Sequence, residues 1–557
     1  MKKICHGLAI CWVGFIAFSC STNDQVNDLE KQLSFNQTKL VLANSKDQNN
    51  AILKIDSSPS TIQVTFENGE IISFDNDKID RIENDSTEWV SYFYFTDKTN
   101  VSAYFIGKLN LTKENIILNP YEKNPLTALA KMETPIKGLF KVIVIGKGTD
   151  GVSIGKSFND YGYVHELPIL GLYQNYLNQV QFVFTNQNGQ VRTSQTLSLQ
   201  TDAIPTNPII KINKNNLGSD YNGLFIITSL RLGFDQLGEV RWCYTPDSSP
   251  HFSFLQKLAN GNMLGVSPDG FKLTELSMIG QSIKTYNVPN GLHHDVIELP
   301  SGNLLVASNS NNGISVEDLV VEIDRRNGSV VKSWDLNTIL DPKRKTLPDA
   351  QSNDWFHMNS LFYDATDNSI IISGRSQSAV VKIDYASGNL KWIIGNPNFW
   401  NDSFSGYLFT PVDATGTKMD VSGQDFWAYG QHTAKRLQNG NIIMYDDGDY
   451  RGFYDNQSVP QSSYTRAVEY AINEQAKTIR LVWEFNNNKS QFTPYTGSVQ
   501  QLSNSNRVIA YMAGIGAAGP KIVEVNNNNQ ITFDADIDNL GAFYYRGYKL
   551  DLYEGIK

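Results

Sequence analysis

Cysteine is scarce in this 557-residue sequence, with four residues at Cys5, Cys11, Cys20 and Cys243. Three fall within the first twenty positions. Removal of Cys5 and Cys11 with that stretch, and modification of Cys20 at its end, would leave Cys243 alone, so a disulfide framework is excluded. Positive charge is also in deficit. Lys and Arg number 47 against 57 Asp and Glu, a formal net charge of −10 with no long basic run, which argues against nucleic acid as a partner. Beyond the extreme N-terminus no apolar run approaches the roughly 20 residues of a spanning helix. What is present is ordinary for a folded protein, 41% hydrophobic and 19% charged residues, and this excludes wholesale disorder. The length is too great for one core and predicts two to four domains.

The first twenty residues carry a basic start at Lys2 and Lys3 and an apolar run from Ile4 to Phe18, and they end on Ala17-Phe18-Ser19-Cys20 before polar Ser21-Thr22-Asn23-Asp24. A small residue just before a cysteine at this distance resembles a bacterial lipoprotein signal. The expected mature N-terminus is therefore a lipidated Cys20, with acyl chains that hold the protein at a membrane. Phe18 departs from the small residue usual at its position. The alternative is a plain secretory signal. Cys243, in Val240-Arg241-Trp242-Cys243-Tyr244, reads as a buried strand residue rather than a nucleophile.

Along the chain the pattern is β throughout. Residues 1–20 are the signal and 21–34 a tether. Residues 35–117 form an extra β domain, with the alternating Thr61-Ile62-Gln63-Val64-Thr65-Phe66 turning at Asn68-Gly69. Residues 118–205 contain further short strands such as Phe140 to Ile145 and Val180 to Phe184. The two segments read as one or two small β-sandwiches. From 215 to 557 the sequence repeats. A Leu-x-x-Gly-Asn turn occurs at Leu258, Leu299 and Leu437, with a Ser505 variant at Leu502 and a weaker copy at Ala365-Thr366-Asp367-Asn368. A second hairpin, often ending in an aromatic residue, recurs around Gly238, Gly280, Gly328, Gly388, Gln475 and Asn528. Two hairpins per unit at a period of roughly fifty residues predict four-stranded propeller blades. Six units predict an all-β, six-bladed β-propeller, closed by the strand Tyr545 to Leu550 pairing with the first blade.

Histidines follow the repeat. His294 and His432 each lie five residues before the turn leucine, and His357 is expected at the equivalent place in the intervening blade, where the turn is longer. Equivalent positions of adjacent blades converge on a central channel, so three imidazoles are aimed at one volume. Strand alternation predicts that His293 points to the other face. Three imidazoles would suit zinc. Asn359, two residues after His357, and Arg375, at the end of the next strand, instead suggest a metal-free cradle for a tetrahedral oxyanion.

Asp354-Trp355-Phe356-His357-Met358-Asn359-Ser360, Ser373-Gly374-Arg375-Ser376-Gln377-Ser378-Ala379 and Gln431-His432-Thr433-Ala434 resemble motifs of the bacterial PAPS-independent arylsulfate sulfotransferase family. So do Asn124-Pro125-Leu126-Thr127-Ala128 and Leu167-Pro168-Ile169-Leu170-Gly171-Leu172-Tyr173, and the likeness spans about residues 118–557. The resemblance implies transfer of a sulfuryl group from a phenolic sulfate donor to a phenol acceptor, without a cofactor or metal. It makes His432 the nucleophile, sulfated in a ping-pong cycle, and has His294, His357, Asn359 and Arg375 hold the sulfate and the phenolic oxygen. Either His294 or His357 can serve as the general acid. Competing readings are a non-catalytic binding propeller on the cell envelope and an aryl sulfate hydrolase. The expected location is the envelope of a Gram-negative bacterium, lipid-anchored at the periplasmic or outer-membrane surface, with a homodimer left open.

Replacing Cys20 by Ala is expected to turn a detergent-extracted protein into one that is uncleaved or mislocalised. Recovery of the native protein in the soluble fraction with its N-terminus elsewhere would exclude the anchor.

Overall fold

The computed structural model describes residues 113–557 except 187–190, 195, 206, 219–222, 246–252, 268, 311–312, 456–462, 513–518 and 539–543, together with 40–43, 52–58, 60–66, 71–85, 90–95 and 100–105. The signal, Cys20 and the tether lie outside the described residues. The chain divides into two compact units, one formed by residues 1–120 and 126–202, the other by residues 121–125 and 203–556. Among the described residues no helix is long and apolar enough to cross a membrane. The only α-helix among them is the single turn Leu336–Ile339.

In the first unit the long strand Thr127–Val144 organises a seven-stranded sheet. Its first half pairs with Ile116–Leu118 and Gly162–Leu170, and its second half with Ile154–Ser157 and Leu177–Asn186. One continuous strand thus serves both sides, where the sequence reading had separate short strands. Two smaller antiparallel sheets precede it, of four strands (Leu40–Ala43, Ile79–Asp85, Val90–Phe95, Asn100–Phe105) and three (Ile52–Ser57, Thr61–Phe66, Ile71–Asp75). Residues 121–125, read from sequence as part of the sandwich, belong to the second unit, where the Asn124 side chain donates to the Met278 carbonyl (2.7 Å).

The second unit consists, among its described residues, of six sheets. Sheet one takes Gly223–Ile227, Leu232–Phe234 and Val240–Cys243, with the C-terminal Gly547–Asp551 paired onto Gly223–Ile227. Sheets two, three and four each run through four consecutive strands, starting at Ser253–Lys257, Leu292–Glu298 and Met358–Asp364. Sheet five runs from His432–Arg436 to Thr478–Phe485 and adds the short parallel Thr410–Pro411. Sheet six starts at Gly497–Gln501 and ends at Ile531–Ile537, to which Ile210–Asn215 adds a fifth strand. The sequence reading had placed the linker up to that last strand and begun the repeat at 215. Both ends of the unit are therefore tied into sheets, Gly547–Asp551 as the last strand of sheet one and Ile210–Asn215 as the outer strand of sheet six.

Middle strands such as Leu319–Ile323 and Ser369–Gly374 are buried along their whole length and read as continuous apolar runs, whereas the fourth strands Ser282–Asn287 and Val330–Asp335 are largely exposed. Each Leu-x-x-Gly-Asn turn places its glycine in the left-handed region (Gly261, Gly302 and Gly440 at φ +86°, +84° and +87°). Ser505 is forced into the same region at φ +67°. The turn asparagine reaches back to a buried glutamate on the third strand: Asn262 to Glu275 (2.6 Å), Asn303 to Glu322 (2.8 Å), Asn441 to Glu469 (2.6 Å) and Asn506 to Glu524 (2.7 Å). A donor from the adjacent sheet completes each one, namely Arg325, Tyr385, Arg507 and Lys549. Sheet four inverts the charges. There Lys382 stands on the third strand and binds Asp364 (2.8 Å) and Glu474 of sheet five (2.9 Å). Cys243 is buried and its thiol is pushed up to about 12, so it is no nucleophile.

The first strands are joined to one another by a ladder of side-chain acceptors. Leu361 N donates to Asp295 (2.8 Å), Ala434 N to Ser360 (3.1 Å), Val499 N to Thr433 (3.1 Å) and Gly547 N to Ser498 (3.1 Å). Arg546 returns to Asp295 (2.8 Å). Residues from the first strand of every sheet, with Gly547–Asp551 in sheet one, line a single cavity of about 530 Å³.

Asn441→Ala removes a short hydrogen bond to a buried carboxylate and is expected to cost about 1.5–3 kcal/mol. Urea unfolding followed by tryptophan fluorescence measures it. An unchanged midpoint would show that Arg507 and Asn439 suffice to satisfy Glu469.

Candidate active site

The ladder residues Asp295, Ser360, Thr433, Ser498 and Arg546 mark equivalent positions of successive first strands. One residue earlier in each strand stand His294, Asn359, His432, Gly497 and Tyr545. The position shared by His294 and His432 is therefore filled in sheet four by Asn359, and not by His357 as the turn-leucine register predicts. His357 lies two residues earlier, still beside the site: its ring centroid is 4.7 Å from that of His294. Counting back from the turn fails because each of these strands opens on a register irregularity, at Leu292/Val296, Met358/Ser360 and His432/Lys435. His294, His357 and Thr433 all adopt left-handed φ (+57°, +55°, +52°), and such backbone strain concentrates at functional sites.

The same irregularity overturns the expectation for His293. It does not turn away from its neighbour: Glu317 takes His293 Nδ1 at 2.9 Å on one oxygen and His294 Nε2 at 3.0 Å on the other. His357 Nδ1 lies 3.1 Å from that second oxygen and hydrogen-bonds Asp354. Burial would favour a neutral Glu317, but His294, His293 and His357 together hold its carboxyl well below the usual range. For His357 burial also opposes charge, yet Asp354 and Glu317 prevail and raise it above the ordinary imidazole value. His294 goes the other way, lowered chiefly by burial. Its Nδ1 faces the Tyr545 hydroxyl at 3.0 Å, so as a neutral ring it donates from Nε2 to Glu317 and accepts at Nδ1.

His432 is completely buried. Its Nδ1 donates to the Gly430 carbonyl (3.1 Å), which assigns the proton to that nitrogen, and its Nε2 has no partner within the protein. Burial first, then the fields of Arg546, His294, Arg375 and His357, put its pKa well below the ordinary value. The ring is a neutral imidazole with an uncommitted lone pair. The Asn359 amide donates to the Gln431 carbonyl (2.8 Å) and leaves Oδ1 unpartnered. Arg375 is buried too, with Nη2 bound by Asp349 and Asp449 (2.6 Å each) and Nε unpartnered. The site thus pairs an available base with two cationic groups, His357 and Arg375.

Two groups have metal-ligand character, His293, His294 and Glu317, and Glu317, Asp354 and His357. A third, Asp364, Asp367 and Glu474, has the Lys382 ammonium among its oxygens. Sequence reasoning missed Glu317, Tyr545, Arg546 and Asp354 as site residues. Asp354 and Tyr545-Arg546 lay inside segments already singled out, whereas Glu317 sits on a turn at φ +58° with no repeat pattern to mark it.

Because Asp354 holds the His357 proton, Asp354→Asn is expected to lower the His357 titration midpoint, measured by NMR of labelled histidine. A raised pKa means the charge persists above the ordinary value and is lost as pH climbs through the folded-state value. A midpoint unmoved by the substitution would remove Asp354 from this role.

Comparison with known proteins agrees with the motifs. A profile described as arylsulfotransferase (ASST) matches residues 209–546, and one described as arylsulfotransferase Ig-like domain matches residues 115–202. An arylsulfate sulfotransferase from Escherichia coli O6:H1 is 28% identical over 515 residues, covering 72% of this chain and 85% of that protein. A second from Lelliottia amnigena is 25% identical over 538 residues, covering 76% and 89%. A solved structure of a Bacteroides caccae protein of unknown function covers 59% of this chain and 98% of its own at 13% identity, with a TM-score of 0.38, too low to bear on either fold or function. With profiles spanning both the site and the preceding sheet, the chain belongs to the arylsulfotransferase (ASST) family of enzymes.

Proposed function

We propose that the enzyme moves a sulfuryl group from a phenolic sulfate ester to a second phenol in two displacements, through a sulfated His432. The observation that carries this reading is His432 Nε2: fully buried, unpartnered, and on a neutral ring oriented by Gly430. Sulfuryl transfer resembles phosphoryl transfer, a loose in-line displacement dominated by positioning and charge stabilisation. The Nε2 lone pair attacks sulfur, the bond from sulfur to the aryl oxygen breaks, and the electron pair leaves on that oxygen. A phenolate, with a parent pKa near ~10, leaves more readily when protonated. His357 is the better acid of the two candidates. It is the one held protonated, and its bonds to Asp354 and Glu317 use Nδ1, whereas both nitrogens of His294 are engaged. Arg375 Nε receives a sulfate oxygen, within the positive field that Arg546, Arg375 and His357 place on His432. A second phenol then takes the group from Nε2 by the reverse chemistry.

The six sheets are read as blades of a six-bladed propeller around the cavity that their first strands line. Supporting this are the side-chain ladder and the ties made by Gly547–Asp551 and Ile210–Asn215. The proposed location is the bacterial envelope, with lipid at Cys20.

His432→Asn is expected to retain the fold and lose at least ~10³-fold in turnover of 4-nitrophenyl sulfate with phenol. Arg375→Lys keeps the charge but lacks Nε and the planar fork, and should also fall sharply. Quenching at alkaline pH without acceptor should place one SO₃ on His432. Finding it on another residue overturns the assignment, and nitrophenol released continuously without phenol indicates a hydrolase.

A further inference from the structure

One buried carboxyl near His432 is left over by this chemistry. Asp447 follows the strand Ile442–Asp446 and is fully buried, and neither carboxylate oxygen has a hydrogen-bond partner within the protein. Its neighbours on the same turn are all engaged. Asp446 binds Arg451, Arg466 and the Tyr429 and Gly448 amides, and Asp449 binds Arg375. Thr465 reaches only the Asp447 carbonyl. A carboxylate buried without a partner is costly, and a protein retains one chiefly where it is used. Asp447 Oδ2 lies 2.8 Å from His432 Nδ1, but out of line with the N–H, which the Gly430 carbonyl receives.

We propose that Asp447 is the charge partner of the sulfated His432 ring, taking its Nδ1 proton while the sulfuryl group is on Nε2 and returning it when that group departs. The inference rests on the sulfohistidine reading above. In the resting enzyme the ring is neutral and its Nδ1–H is a weak acid, for which a carbonyl acceptor suffices. Once Nε2 bonds to sulfur, the ring has the electron count of an imidazolium and Nδ1–H becomes acidic. The Nδ1–H bond breaks, its pair returns to the ring, and a bond from Oδ2 to hydrogen forms. The intermediate is then a ring without charge of its own, bearing an anionic N-sulfo group, beside a neutral carboxyl, without loss or gain of atoms. When the second phenol takes the sulfuryl group, the Nε2–S pair returns to the ring and Nδ1 recovers its proton. The groups facing Asp447 are His432, Arg375, Asp446, Asp449 and the Tyr445 phenol. Burial, reinforced by Asp446 and Asp449 against the pull of Arg375, raises the Asp447 carboxyl well above its ordinary value, so a proton passed to it from Nδ1 is held more firmly than on an ordinary carboxylate. Asp447 is a positioning residue in this scheme, since it acts through the His432 ring.

The experiment is a single-turnover burst with 4-nitrophenyl sulfate and no acceptor, followed by isolation of the sulfo-enzyme and measurement of its decay from pH 6 to 10. In Asp447→Asn the ring proton has no base to go to, so the burst amplitude should fall at least tenfold. The adduct that does form should decay at least tenfold faster, with the difference largest near neutrality and vanishing at alkaline pH, where solvent removes the proton. Asp447→Glu, which restores a carboxylate, should recover part of the lifetime. Thermal unfolding of Asp447→Asn should be unchanged or shifted upward, because an unpartnered buried carboxyl is removed. Wild-type adduct lifetimes across the pH range in Asp447→Asn would overturn the proposal, as would a lowered unfolding temperature with unchanged lifetimes, the mark of a purely structural carboxylate. Absence of any sulfo-enzyme in the wild type would instead overturn the underlying reading.

Discussion

The first strands of sheets three to six and the C-terminal strand of sheet one are held together by side chains rather than by backbone pairing, and the site depends on that choice. Asp295, Ser360, Thr433 and Ser498 each accept an amide hydrogen from the neighbouring sheet, and Arg546 returns to Asp295. A buried amide left unpaired would cost about 1–3 kcal/mol, so the ladder is obligatory once these strand edges are out of water. It also spaces the strands widely enough for a cavity and sets one residue per strand, His294, Asn359, His432, Gly497 and Tyr545, at a common level. The chemistry occupies the positions next to the rungs.

Electrostatics then differentiates three imidazoles that sequence cannot tell apart. Each loses solvent, which by itself favours the neutral ring. His357 recovers its charge because Asp354 and Glu317 share its Nδ1, whereas His294 shares Glu317 with two other rings and hydrogen-bonds a phenol, and His432 faces net positive field. One turn residue, Glu317, touches all three of the others in its vicinity, His293, His294 and His357. Pairs of groups whose surroundings push them apart are the usual basis for assigning acid and base. Here they separate an imidazolium from an available lone pair.

A different logic holds the rim. The asparagine of each Leu-x-x-Gly-Asn turn, a third-strand glutamate and a donor from the next sheet form a repeated buried trio, which converts a local turn into an inter-sheet tie. Its inversion in sheet four, where Lys382 replaces the acid, shows that charge complementarity and not residue identity is what the packing requires.

The all-β class, the hairpin period and the pairing of the C-terminal strand were legible in the sequence, because strand alternation and left-handed turns are local properties that glycine and asparagine positions report directly. His294 and His432 were singled out by their place in the repeat, and His357, Asn359 and Arg375 by their nearness to it and by the family resemblance. Three matters were decided only by the tertiary structure. Register irregularities put Asn359 where counting placed His357 and turned His293 toward Glu317. The strand Ile210–Asn215 found its partner in Ile531–Ile537, more than three hundred residues away in the chain. The protonation of each histidine was set by burial together with the charges around it, Asp354 and Glu317 at His357 and the cations at His432, because a pKa answers to burial and to charges close in space, whatever their separation in sequence.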